Sequence, residues 1–163
     1  TFGVDKKNIG FTMNELFSKG VDSSNISVDD YMIGPGTLTR SMKSAWRGVN
    51  PDRKKGPPKN IFINNLWILP ADLDLSGMEI DLATRVGREN RLKLVLNQVK
   101  DDFDIIIIDT PASLGLLTIN ALSAAQFLLI PIQAEFYALE GMRQLIDSIN
   151  MIQKRCNHKY LFT

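Results

Sequence analysis

Cysteine and histidine are almost missing from this sequence: Cys156 and His158 are the only ones in 163 residues. An internal disulfide is therefore excluded, and a zinc site built from Cys and His has too few ligands to form. Such sparse usage fits a reducing, cytoplasmic setting. Also absent are an uninterrupted apolar run of about 18 residues and a leader of charged, apolar and small residues, so neither a membrane helix nor a signal peptide is expected. Charge of one sign is lacking too. With 19 basic residues against 18 acidic ones the formal net charge is +1, so any pull on nucleic acid has to be local. No Gly-Lys dipeptide occurs anywhere, which removes the usual glycine-rich phosphate loop with its lysine from these residues. What is present is ordinary for a globular protein: 44% hydrophobic and 23% charged residues, enough for a core and too apolar for long disorder. The chain opens on Thr1 rather than Met, and the expectation is one partial domain over residues 1–163.

Local patterns give the expected elements. In "FTMNELFSKG", Thr12 as N-cap and Glu15 three places on make a capping box, with Gly20 suited to the stop. Residues 34–60 read as a break in regular structure, punctuated by Gly34, Pro35, Gly36, Gly48, Pro51, Gly56, Pro57 and Pro58. Arg40, Lys43, Arg47, Arg53, Lys54, Lys55 and Lys59 face only Asp52 there, which suggests a basic loop or insertion. "IFINNLWILP" (61–70) reads as a strand, and Ser76 with Glu79 as a second capping box. Leu92, Val95, Leu96 and Val99 recur at helical spacing. Met142, Leu145, Ile146, Ile149 and Ile152 do the same in a longer helix over 138–155, a stripe that reads as core.

Between these helices lies "FDIIIIDTPASLGLLTINAL" (103–122). Residues 104–109 are apolar on both faces, the pattern of a central parallel strand covered by helices. The next such run is "FLLIPI" (127–132), and the intervening residues are too many for a hairpin, so a crossover helix and a parallel pair are expected. "KYLFT" begins a further strand. The fold class is thus α/β, a mostly parallel sheet with helices on both faces. Ligands of such sheets sit at the carboxyl ends of the strands, where Asp109 falls, and where Pro131, Gln133 and Glu135 follow the next strand. Two readings of Asp109 stay open. It is an acid that helps hold Mg²⁺ in a phosphate-transferring site, or it is a polar stop and N-cap before a Thr-Pro turn.

The stretch "DFDIIIIDTPASLGLLTINALSAAQFLLIPIQAEFYALEGMRQLIDSI" resembles the region around the Walker B motif of the ParA-type partition ATPases, the relatives of Soj and MinD. "LWILPADLDLSGMEIDLATRVGRENRLKLVL" resembles the segment just upstream of it in the same family. The resemblance implies a P-loop NTPase-like fold of the deviant Walker A class. It also implies ATP and Mg²⁺ as cofactors, ATP-dependent homodimerisation, nonspecific DNA binding and weak hydrolysis stimulated by a ParB-like partner protein. Carried over by position, Asp109 matches the Walker B aspartate, the metal residue. Thr110, Pro111, Ser113 and Gly115 lie in the switch II segment that senses the γ phosphate. Pro131, Gln133 and Glu135 match the strand-end motif near the nucleotide.

Two family features have no counterpart here: the phosphate loop, and the C-terminal part that completes the sheet. The fold is expected to be incomplete at both ends. Ala112 stands where the family usually has a second proline. The chain by itself is expected neither to bind ATP tightly nor to hydrolyse it, because the phosphate cradle is not encoded in it. Alternatives are a MinD-like positioning ATPase and a nucleotide-independent interaction protein that kept the fold without the phosphate loop.

Overall fold

The computed structural model describes residues 12–19, 27–49, 56–57, 63–111, 113–131, 136–156 and 161–162. They belong to two compact units, Thr1–Met78 and Glu79–Thr163, each taken by itself.

In the first unit, helix α1 spans Met13–Lys19 and buries Met13, Leu16 and Phe17. Its start follows the sequence signal. The Glu15 carboxylate reaches back to accept from the Thr12 backbone N–H at 2.6 Å, satisfying a donor that the helix leaves unpaired. Gly20 lies outside the described residues. A 3-10 turn at Val28–Tyr31 buries both of its end residues.

Residues 35–49 correct the loop expected over 34–60: they form a 15-residue helix, α2, Pro35–Val49. Gly34 and Pro35, read as breakers, start it instead. The amides of Thr37 and Leu38 donate to the Gly34 carbonyl, each at 3.2 Å, and Pro35 takes the first helical position, where a missing N–H costs nothing. Gly34 has a second reason to be glycine: a Cβ there would lie 2.8 Å from the Trp67 ring. Leu38, Met42, Ala45 and Val49 fall on one side of α2 at helical spacing, and Leu38 is fully buried.

The strand expected over 61–70 is also corrected. Among the described residues, segment 63–70 makes only an isolated antiparallel bridge, Ile33 to Ile68, with N–H···O distances of 2.8 and 3.0 Å. The two ends of the segment are tied elsewhere. Thr39 Oγ1 accepts from Ile63 N–H at 3.0 Å, and Pro70 accepts from the first amide of α1 at 2.9 Å. Groups committed to a helix side chain and a helix end are not free for a ladder.

In the second unit, α3 (Met78–Ala83) buries Leu82. Helix α4 (Arg91–Leu96) buries Leu92 and Val95, as the helical spacing predicts. Helix α5 (Leu116–Ala124) forms where a crossover helix is expected and buries Thr118 together with the run from Asn120 to Ser123, but among the described residues it does not join two strands. β1 (Phe127–Leu128) pairs in parallel with β2 (Leu161–Phe162), Phe127 opposite Leu161. Helix α6 (Phe136–Cys156) lays Leu145, Ile149 and Ile152 of its stripe against Leu122, Leu128 and Ile130.

The isoleucine run departs from expectation. Residues 104–109 form no strand, and the parallel partner of Phe127–Leu128 is Leu161–Phe162 rather than this run. Ile105 and Ile107 are 77% and 88% exposed. The reason is pairing. A strand exists by virtue of its neighbours, and a run apolar on both faces needs cover on both sides; among the described residues no segment bonds to it.

Candidate functional site

The segment Asp109–Gly115 links the isoleucine run to α5. Asp109, Thr110, Pro111 and Ser113 are exposed, and Gly115 is half-buried as the N-cap of the helix. Asp109 is therefore not the end of a buried strand, as the sequence suggests. Its carboxylate makes no hydrogen bond or ion pair among the described residues. The N-cap reading of Asp109 is removed as well, since the N-cap of α5 is Gly115, six residues further on.

What fixes this segment is the first turn of α5. Thr118, buried, donates its hydroxyl to the Ser113 carbonyl at 2.6 Å and lies 3.5 Å from that of Pro111. Gly115 has no side chain with which to cap the helix, so an acceptor comes from elsewhere: Glu79 Oε1 accepts from Leu117 N–H at 3.0 Å. This corrects the capping box expected between Ser76 and Glu79. Ser76 closes a 3-10 turn, Leu73–Ser76, and Glu79 serves another helix. Gly115 leaves room for the approach, because a Cβ there would meet the Glu79 carboxylate and make it shift.

A second residue that sequence reasoning passed over is Asn120, which is fully buried. Its Oδ1 accepts from Leu92 N–H at 3.1 Å, in the first turn of α4. Its Nδ2 donates to the carbonyls of Arg88, at 2.7 Å, and Leu116, at 2.9 Å. Every polar atom of the side chain is used, which is what makes a buried amide tolerable. The signal available in advance was its chemistry: an amide inside "LLTINALSA" has to be hydrogen-bonded or exposed.

Of the other expected site residues, Pro131 follows β1 and is exposed. Gln133 and Glu135 lie outside the described residues. The structure thus holds Pro111, Ser113 and Gly115 to the first turn of α5 and leaves Asp109 and Thr110 exposed ahead of them.

The donor chemistry suits magnesium in part. Mg²⁺ takes hard oxygen ligands, commonly one or two carboxylates with water and phosphate making up the rest. Asp109 and the neighbouring Thr110 hydroxyl offer such oxygens. No group of three or more His, Cys, Asp or Glu able to hold a metal occurs among the described residues, so an ion here would rely on water and nucleotide for most of its shell. The phosphate half does not fit these residues alone, since the sequence has no Gly-Lys loop.

The AAA domain family matches residues 47–161. The sporulation initiation inhibitor protein Soj of Bacillus subtilis is 50% identical over 99 residues, 61% of this chain and 39% of Soj. The chromosome partitioning protein ParA of Myxococcus xanthus is 48% identical over 92 residues, 56% of this chain and 32% of that protein. Among solved structures, cobyrinic acid a,c-diamide synthase from Mycobacterium smegmatis, with bound ATP analog and magnesium, matches with a TM-score of 0.66 and 27% identity, covering 94% of this chain and 48% of the synthase. The chain thus spans two fifths or less of the Soj and ParA proteins, and about half of the synthase. Its α/β elements are those of a P-loop NTPase-like fold, and the chain belongs to the ParA-type partition ATPases of the AAA domain family, of which it spans a part.

Proposed function

We propose that this chain supplies the magnesium-binding and γ-phosphate-sensing half of a partition ATPase acting in chromosome or plasmid segregation. The observation that carries the reading is the exposed Asp109 carboxylate, unpaired among the described residues, at the head of a segment that Thr118 ties to the first turn of α5, where Glu79 accepts from Leu117 N–H. When bound, Mg²⁺ neutralises charge on the β and γ phosphates. The work of this chain's own residues is positional. Asp109 holds a water-bound cation in place, and Thr110 to Gly115 carry any displacement at that point into α5 through the Ser113 and Gly115 backbone. Pro131, Gln133 and Glu135 border the nucleotide in the same reading.

Homodimerisation on ATP, nonspecific DNA binding, a ParB-like stimulating partner and a cytoplasmic location complete the proposal. Family membership supports them, and no helix among the described residues is long and apolar enough to cross a membrane. A surface for DNA is available on α2. Arg40, Lys43 and Arg47 share one face of that helix, opposite Leu38 and Met42, and α2 has no acidic residue. Such a stripe meets phosphates without regard to base sequence.

The deciding experiment is Asp109→Asn in the full-length gene product. Magnesium-dependent ATP turnover is expected to fall by about a hundredfold, on the scale typical of losing one group that stabilises developing charge. Unchanged turnover would sink the magnesium role. A wild type with no response to nucleotide would favour the nucleotide-independent interaction protein instead.

A further inference from the structure

The first turn of α5 lacks a local cap, since Gly115 is the N-cap and has no side chain to offer. The acceptor comes from 38 residues away, from Glu79 on α3, at 3.0 Å from Leu117 N–H. The contact is doubly specified. The carboxylate complements the positive end of the helix dipole, and Gly115 leaves room for it where any Cβ would collide. On the other side Thr118 holds the Ser113 carbonyl at 2.6 Å. The first turn of α5 is thereby held by Glu79, and the chain that leads into it is held to that turn by Thr118, through the Ser113 and Pro111 carbonyls.

From this we infer that Glu79 is a positioning residue for Asp109. Its carboxylate sets where Gly115 and the start of α5 lie, and so fixes the register in which the Asp109–Ser113 segment is presented to a cation. Glu79 itself touches neither metal nor nucleotide in this scheme. The inference rests on the proposed magnesium role of Asp109, and its test is arranged so that the two fail separately.

Three variants of the full-length gene product are compared with wild type: Glu79→Ala, Glu79→Gln and Gly115→Ala. Amide hydrogen exchange without nucleotide reads the grip directly. Loss of one hydrogen bond to a charged acceptor is expected to speed exchange at Leu117 by about tenfold in Glu79→Ala. Gly115→Ala, which displaces the carboxylate from the opposite side, should do the same. Glu79→Gln keeps an acceptor oxygen at the same reach and should restore most of the protection. The second readout is the Mg²⁺ concentration giving half-maximal ATP turnover. It is expected to rise several-fold in Glu79→Ala and Gly115→Ala and to return toward wild type in Glu79→Gln. A purely structural role would lower the melting temperature without moving that concentration, and this result would overturn the inference. So would unchanged exchange at Leu117. If Asp109→Asn abolishes magnesium dependence while Glu79→Ala leaves it intact, the site stands and the positioning role falls. If wild-type turnover shows no magnesium dependence at all, both the proposed site and the positioning role fall.

Discussion

Asn120 and Glu79 perform the same service for different helices, and neither role is local. Asn120 sits in α5 and meets the first turn of α4, while Glu79 sits in α3 and meets the first turn of α5. Replacing Asn120 by Ala would strand the buried Leu92 N–H, so the variant is expected to lose about 1–3 kcal/mol of stability, read as a lower urea midpoint. Asn120→Asp should cost more, because it sets a buried charge against two carbonyls that need a donor. At this scale the sequence was partly legible. The Glu15 half of the Thr12–Glu15 box was readable because the partners are three residues apart, while the Thr12 hydroxyl donates to the Glu15 carboxylate instead of accepting from its N–H. The Ser76–Glu79 signal rightly marked Glu79 as a capping side chain and wrongly chose its helix, since spacing along the chain carries no information about an amide 38 residues distant. The exposure of Asp109 was not readable, because that depends on what covers the isoleucine run.

Helix α2 and the isoleucine run show the two ways an element escapes a local reading. In α2 the Gly-Pro pair was weighed as punctuation, although proline at the first helical position is a start signal and the spacing of Leu38, Met42, Ala45 and Val49 was visible behind it. In residues 104–109 the local signal for a strand is strong, yet a strand is a property of a pair, and the segment stays open without one. The helical form of α2 also sharpens the DNA proposal. Arg40, Lys43 and Arg47 lie at i, i+3 and i+7 along one face, rather than scattered in a loop. Reversing all three charges in the full-length gene product is expected to weaken DNA binding and to reduce the slope of log affinity against log salt by about 2–3, near 0.9 for each phosphate that is no longer neutralised. Titration by fluorescence anisotropy at several salt concentrations gives that slope; an unaltered slope would remove α2 from the DNA surface.

For the molecule as a whole, the division of labour between what is encoded here and what is not governs activity. The chain carries Asp109 and its supporting helices but no Gly-Lys phosphate loop, and phosphoryl transfer depends mostly on positioning and charge stabilisation by such a cradle. The purified 163-residue polypeptide is therefore expected to show no ATP turnover above background and no magnesium-dependent nucleotide affinity, measurable by phosphate release and equilibrium dialysis. Turnover by this polypeptide would require a different cradle. The fold class was legible from the alternation of apolar runs and helical stripes, and the P-loop NTPase-like likeness agrees with it. The strand pairing was not legible, because Phe127–Leu128 had two apolar runs to choose from and took Leu161–Phe162.

Dependence of one short helix on the next has a consequence for how this part of the chain acquires structure. Neither the six residues of α4 nor the nine of α5 have a local side-chain cap for their first turn, and helices of that length are marginal in water even with ideal sequences. A synthetic peptide spanning either one should be a random coil by circular dichroism. Order in the two helices has to arise together, as one all-or-none event.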